Sequence, residues 1–418
     1  MGTRNSVQRG EDARGRDTVP VRPQRTRDAR IDVLRGLALI TIFIDHVPAN
    51  PLTFATMRNF GFADAAELFV ILAGVSSMAA YGGAFERIGA GAGVRRVLAR
   101  CLRLYVFQIG LLLTTLAVVH QWRAHLGLEP QNIDPFFERP LTAIGHALAL
   151  HALPASLDIL PLYIVLLGAF PLIYAGVRFQ PWAALLLSAA LWGAVNVDRN
   201  IHFTNWLAGQ GWFFNPMAWQ FLFTLGVIGA VILRANGGGL PRRRGLVIAS
   251  WAYLIGSCVI AAPWTVWGLA AWHPFAFDPA DKTSLDPRRL LHILAVVYLV
   301  LSSPAFRQLA AAPALSWLAR CGRHSLEVFA LGTLLALVFR LLFETFGPSP
   351  LLKILVNVVG IGALVLLAFV LERRKARLAT TLARADQRVT EIVPCAEVSL
   401  VAWPARSPSP VPSAQARP

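Results

Sequence analysis

Apolar residues run along this chain in long unbroken stretches rich in Leu and Ala, not in alternation with polar ones. About 20 consecutive apolar residues cross bilayer hydrocarbon as a helix, whereas barrel strands alternate in segments of about 10. Backbone groups in lipid must bond inside their own segment, so the runs read as helices. Ten spans are expected, at about 32–48, 63–83, 98–120, 157–177, 181–197, 216–234, 245–264, 289–306, 325–346 and 351–371. The fold class is all-α, a polytopic integral membrane protein of about ten transmembrane helices. Residues 1–30 form an Arg-rich tail and 31–371 the ten-helix membrane domain. Residues 372–418 are expected to be a disordered tail that ends "ARSPSPVPSAQARP", rich in Pro and Ser.

Composition leaves no room for a soluble reading. Of 418 residues 56% are hydrophobic and 15% charged, against about 25% charged in soluble domains. The net charge of +16 comes mostly from Arg. No basic stretch interleaves with aromatics in a soluble segment, so nucleic acid is not an expected partner. The cations gather in alternate connections instead. Eight Arg precede Ile31, and Arg87, Arg95 and Arg96 lie in 84–97. Arg242, Arg243 and Arg244 lie in 235–244, and Arg307, Arg320 and Arg323 in 307–324. Arg373, Arg374, Lys375 and Arg377 follow the last span. With an even span count these share one side, which places both termini in the cytoplasm. Residues 1–30 lack a cleavable signal pattern, so the first span reads as an uncleaved anchor. The cysteines, Cys101, Cys258, Cys321 and Cys395, include no CxxC, and neither a disulfide framework nor a metal site is expected.

Ionisable groups inside the spans carry the candidate chemistry, because lipid exposure would cost several kcal/mol each. In "IDVLRGLALITIFIDHVPAN", residues 31–50, Arg35 and His46 are 11 apart. On a helix they lie within roughly 20° of each other and roughly 16 Å apart along the axis. Asp32 is three residues from Arg35 and suited to pair with it. Asp45 points elsewhere on an unbroken helix. In "GFADAAELFVILAG", Asp64 and Glu67 share a face at the depth of His46. A carboxylate on one ring nitrogen would fix the His46 tautomer and raise its basicity, as a general base requires. The competing reading makes Asp64 a helix N-cap and His46 an interfacial residue. Gly74 and Ser76–Ser77 suit a close helix crossing. In "RRVLARCLRLY", Arg96, Arg100 and Arg103 form one stripe. They serve either topology or, with Arg35, phosphate binding.

Loop 198–215, "DRNIHFTNWLAGQGWFFN", supplies Trp212 and Asn215, and loop 265–288 supplies Trp267, Trp272, Phe275, Asp278 and Asp281. Rings with Asn and Asp suit sugar binding, and they equally suit the aromatic belt of a membrane interface. Asp158, in "SLDILPLY", fits an acceptor contact or a helix cap.

"RIDVLRGLALITIFIDHVPAN" followed by "TMRNFGFADAAELFVILAG" resembles the OpgC family. Those are inner-membrane proteins that succinylate osmoregulated periplasmic glucans, within a wider group resembling the acyltransferase-3 family. The Arg35–His46 spacing, "LFVILAG" and "RRVLARCLRLY" look like motifs of that group. "SLDILPLYIVLL", "GWFFNPMAWQFLF" and "CGRHSLEVFALG" look like further OpgC segments, so the resemblance covers about 28–371. It implies a multi-pass inner-membrane O-acyltransferase. It implies an acyl-CoA donor, succinyl-CoA where the family's substrate is kept, and a periplasmic glucan acceptor. By match to the motif, His46 is the catalytic histidine and Arg35 its partner in the donor channel. On this reading Glu67 or Asp64 orients His46. Arg35, Arg96, Arg100 and Arg103 hold the CoA phosphates, and Asp158, Asp45, Trp212 and Asn215 are the acceptor-side candidates. A proton-coupled exporter is the alternative, since the same residue types build proton relays. The acyl group, the hydroxyl modified and the oligomeric state are not set by the sequence.

Overall fold

The computed structural model describes residues 28–126, 133–269 and 279–392. A helix lies at each expected position. They are α1 (Ala29–His46), α2 (Ala65–Ser77), α3 (Ala90–Leu126), α4 (Ile159–Phe179), α5 (Pro181–Val197) and α6 (Pro216–Ala235). Then come α7 (Arg244–Ala261), α8 (Pro287–Ser302), α9 (Pro304–Ala311), α10 (Ser316–Arg323), α11 (Ser325–Phe346) and α12 (Pro350–Ile392). A π turn, Met78–Gly82, carries α2 on to Arg87. Seven helices among the described residues are long and apolar enough to cross a membrane. The bent pair α8–α9 makes an eighth if counted as one span. The chain is thus a helical, multi-pass membrane protein. The other two expected spans differ for plain reasons. α1 carries Arg30, Asp32, Arg35 and Asp45, and α5 has 17 residues.

Local chemistry sets the boundaries. Pro181, Pro216, Pro287, Pro304 and Pro350 each open a helix. A missing N–H is harmless there, and the fixed φ suits the first turn. Ser303 has an extended backbone and caps α9 through Phe306 N–H, while Pro304 gives no N–H to continue α8. The result is a bend of 79° within the expected span 289–306.

Two glycine pairs bring helices to backbone contact. A Cβ on Gly74 would overlap the Phe223 carbonyl oxygen, and one on Gly226 would overlap that of Ile71, so α2 and α6 cross with nothing between them. Gly36 and Gly322 meet the backbones of Leu318 and Asp32 likewise, locking α1 against α10. Around these crossings the core holds Phe43, Phe170, Trp219 and Phe223, all essentially buried.

The described residues form two compact units, through Ala368 and from Phe369 onward. In the second, the Arg373 guanidinium lies 4.1 Å from the Phe369 ring centroid. The helix continues to Ile392, so residues 372–392 of the expected tail are helical rather than disordered. "ERRKARLATTLARADQRV" is rich in strong helix formers, and the next proline is Pro394. The rest of that tail, residues 1–27, Trp272, Phe275, Asp278 and Cys395 lie outside the described residues.

Candidate functional site

His46 ends α1, and its ring folds back on its own helix. Nδ1 lies 2.7 Å from the Ile42 carbonyl oxygen. A carbonyl only accepts, so Nδ1 carries the proton, and in the neutral ring Nε2 is left as a base. The side chain is exposed, and it is exposed to a cavity of about 1080 Å³. Distant segments build the walls: the end of α1, the start of α2, the 153–159 turn, Phe213 and Phe214, and Lys282 with Arg289. A second cavity, of about 240 Å³, is also lined by His46.

Asp64 caps α2, as the competing reading held. Its Oδ1 accepts from Ala66 N–H at 2.8 Å, and Glu67 Oε2 accepts from the Asp64 N–H at 2.8 Å. This reciprocal pair is a capping box. The remaining oxygens are taken by cations. Lys282 Nζ lies 2.6 Å and Arg289 Nη2 3.0 Å from Asp64 Oδ2, and Arg289 Nε lies 2.6 Å from Glu67 Oε1. Two carboxylates and two cations leave no net charge. That balance lets Glu67 sit at 0% exposure. The expectation that Glu67 or Asp64 orients His46 therefore needs correcting, because the Ile42 carbonyl takes that role. Burial opposes ionisation of Asp64, but Lys282 and Arg289 overcome it and hold the carboxyl below its usual range.

Asp45 and Asp158 do reach the cavity. Asp45 accepts from Thr56 Oγ1 at 2.8 Å, which ties the end of α1 to the following loop. Asp158 stands at the N-cap position of α4 but makes no side-chain cap bond, so its carboxylate is left to the cavity. Burial pushes its pKa up to about 6.

Trp212 and Asn215 do not line the cavity. Trp212 is buried edge-on to Phe203, with its ring centroid 5.6 Å away, and its Nε1 has no hydrogen-bond partner. Asn215 caps α6 through Met217 N–H and donates to the Ile201 carbonyl at 2.7 Å. Their neighbours Phe213 and Phe214 face the cavity instead, beneath Lys282 Nζ at 5.8 and 5.4 Å from their ring centroids. Loop 198–215 is pinned there by Asn205, which exchanges hydrogen bonds with the backbone of Leu153 at 2.9 and 3.1 Å.

The four arginines expected at the donor end are not gathered around a cavity. Arg35 is buried and donates to Ser76 Oγ and, at 3.4 Å, to the Leu72 carbonyl, linking α1 to α2. Arg96 and Arg103 are exposed along α3, and Arg100 is half-buried.

Sequence reasoning missed Lys282, Arg289 and Arg340. The first two had a signal, being cations at a connection the charge rule leaves poor in them. Arg340 had one too, as an ionisable residue well inside the ninth expected span.

No curated protein matches the chain. The family described as OpgC protein matches residues 27–376, which is most of the sequence and all of the cavity. The chain belongs to the OpgC protein family.

Proposed function

We propose that the chain is an acyl-CoA-dependent O-acyltransferase of the inner membrane, related to the acyltransferase-3-like enzymes. It moves an acyl group, succinyl, onto hydroxyls of an osmoregulated periplasmic glucan. Family membership supports the glucan role. The observation that carries the chemistry is His46, whose unprotonated Nε2 stands at the wall of a large cavity that also holds Asp45 and Asp158.

His46 Nε2 takes the proton of a sugar hydroxyl as its oxygen attacks the thioester carbonyl. The new C–O bond forms, the tetrahedral intermediate collapses, and the C–S bond breaks. The leaving CoA thiolate recovers the proton from the imidazolium. The Ile42 carbonyl, accepting from Nδ1, keeps the ring in the reactive tautomer and steadies the cation that forms. Positioned proton transfer of this kind contributes about 10²–10⁴-fold. At about 1080 Å³ the cavity exceeds the range of drug-sized pockets, and it has room for sugar units. Asp158 and Asp45 accept from their hydroxyls, while Phe213 and Phe214 offer stacking faces. Lys282 and Arg289 hold the capping box rigid beneath them. The donor's phosphates lie toward Arg96, Arg100 and Arg103, which reach the surface along α3, whereas Arg35 is buried between α1 and α2.

The test is His46→Ala in a host lacking its own glucan-modifying enzyme, with the glucan read by mass spectrometry. Unmodified glucan is expected. Acylation at the wild-type rate would remove His46 from the mechanism. Unmodified glucan with the wild-type chain, together with a changed flux of some solute, would favour the exporter.

A further inference from the structure

The second cavity shares His46, Pro154, Ala155, Ser156 and Thr333 with the first, so His46 stands between the two. Apart from His46, its one ionisable wall residue is Arg340, six residues before the end of α11. An arginine facing lipid at that depth would cost several kcal/mol, and membrane helices normally pair such a charge. Arg340 is half-buried and makes no hydrogen bond or ion pair among the described residues. A second group in the same wall has the same deficit. Thr115 Oγ1 is buried and meets no hydrogen-bond partner. Much of the remaining wall is apolar: Ile133, Leu157, Ala336 and Leu337.

A guanidinium and a hydroxyl, neither with a partner among the described residues, in the wall of a largely apolar pocket beside His46 have a simple reading. We propose that this is the acyl pocket, and that Arg340 and Thr115 grip a free carboxylate at the far end of the transferred group. The two residues would then select the succinyl group already proposed as the acyl group over donors that lack a second carboxylate. Arg matches a carboxylate with two parallel hydrogen bonds, which an ammonium does not reproduce. The volume of about 240 Å³ lies below that of drug-sized pockets, so neither a fatty chain nor the CoA nucleotide fits. Selectivity follows from the partner left behind. An acetyl donor leaves the half-buried Arg340 unpaired, whereas a succinyl donor satisfies it, and sites of that kind discriminate strongly. The carboxylate is a spectator; the bonds made and broken are those at the thioester carbon beside His46. This inference rests on the acyltransferase reading above.

The test feeds membranes carrying the full chain with glucan and either succinyl-CoA or acetyl-CoA, and scores the modified glucan by mass. Arg340→Ala, the longer Arg340→Gln and Thr115→Val are compared, scoring variants whose size-exclusion profile matches wild type. The wild-type chain should favour succinyl-CoA by at least about tenfold. In Arg340→Ala and Arg340→Gln the succinyl rate should fall enough to erase that preference, with the acetyl rate held. Thr115→Val should raise the KM for succinyl-CoA a few-fold and leave acetyl-CoA unchanged. An unaltered donor ratio, or an equal fall with both donors, overturns the assignment of Arg340 while leaving the transferase reading standing. A wild-type chain that acylates glucan from neither donor overturns both.

Discussion

The cluster at the start of α2 and the arginine stripe at the start of α3 look alike as sequence. Each sets ionisable residues at helical spacing near the end of a span. In the folded chain they are opposites. Asp64 and Glu67 are wholly committed, to each other's backbone and to Lys282 and Arg289 from more than 200 residues away. Arg96 and Arg103 remain exposed. Spacing along one helix reports which side chains share a face. It does not report whether another element covers that face. Where α8 arrives, charge becomes structure; where nothing arrives, it stays available to solvent, lipid headgroups or a polyanion.

The strongest way to sharpen this contrast lies at His46, which is adjacent to the committed cluster but outside it. His46→Ala should lower glucan acylation by about 10²–10⁴-fold with the melting temperature little changed. A matching loss of stability would make His46 part of the scaffold. The committed cluster should behave in the reverse way. Arg289→Met strands the buried Glu67, while Asp64 keeps Lys282, and should cost about 3–5 kcal/mol, read from unfolding in detergent. Adding Glu67→Leu should recover part of that loss. A double variant as unstable as the sum of its parts would mean the pair is not coupled.

Packing gives a smaller expected effect. Gly226→Ala places a Cβ against the Ile71 carbonyl and should cost about 1–3 kcal/mol, whereas Gly229→Ala, with open space around it, should cost nothing. Equal effects at both positions would show that α2 and α6 do not cross this closely.

Asp158 supplies a pH signature. Burial pushes the pKa of its carboxyl up to about 6 from the ordinary 3.8, so the folded chain favours the protonated form. The associated stability is present below about pH 4 and lost as pH rises through 6. Asp158→Asn mimics the protonated form. It should therefore raise the melting temperature at pH 7 and leave it unchanged at pH 4. An equal shift at both would mean that burial does not perturb this carboxyl. The smallest effect belongs to the stripe: Arg100→Ala or Arg103→Ala should raise the half-saturation for acyl-CoA only a few-fold, since exposed charges contribute about 0–1 kcal/mol each. No change would leave these arginines as topology signals.

Much of this protein can be read without coordinates. Continuous apolar runs located the helices, because lipid permits little else. The boundaries moved where local chemistry intervened, as Ser303 and Pro304 bend the eighth span and as helix-forming residues carry α12 past 371. Gly74 was rightly marked as a close crossing, although its partner Gly226 was not visible from spacing. In the candidate site, the 11-residue step puts Arg35 and His46 on one helix, yet only His46 lines a cavity. The residue types of Asp64 and Glu67 were likewise informative, and their partners were not.

What the sequence alone determined is therefore whatever depends on one segment and its solvent: helicity, membrane residence and the family, with Asp64 as a helix cap left as one of two readings. What only the tertiary structure decided is which charges are spent. Asp64 and Glu67 lost their tie to His46 because Lys282, in the turn before α8, and Arg289, on α8, meet them instead. Asp158 and Arg340 became candidates because they line cavities and form no ion pair among the described residues. Coulomb pairing acts at ångström range through space, and sequence distance carries no trace of it.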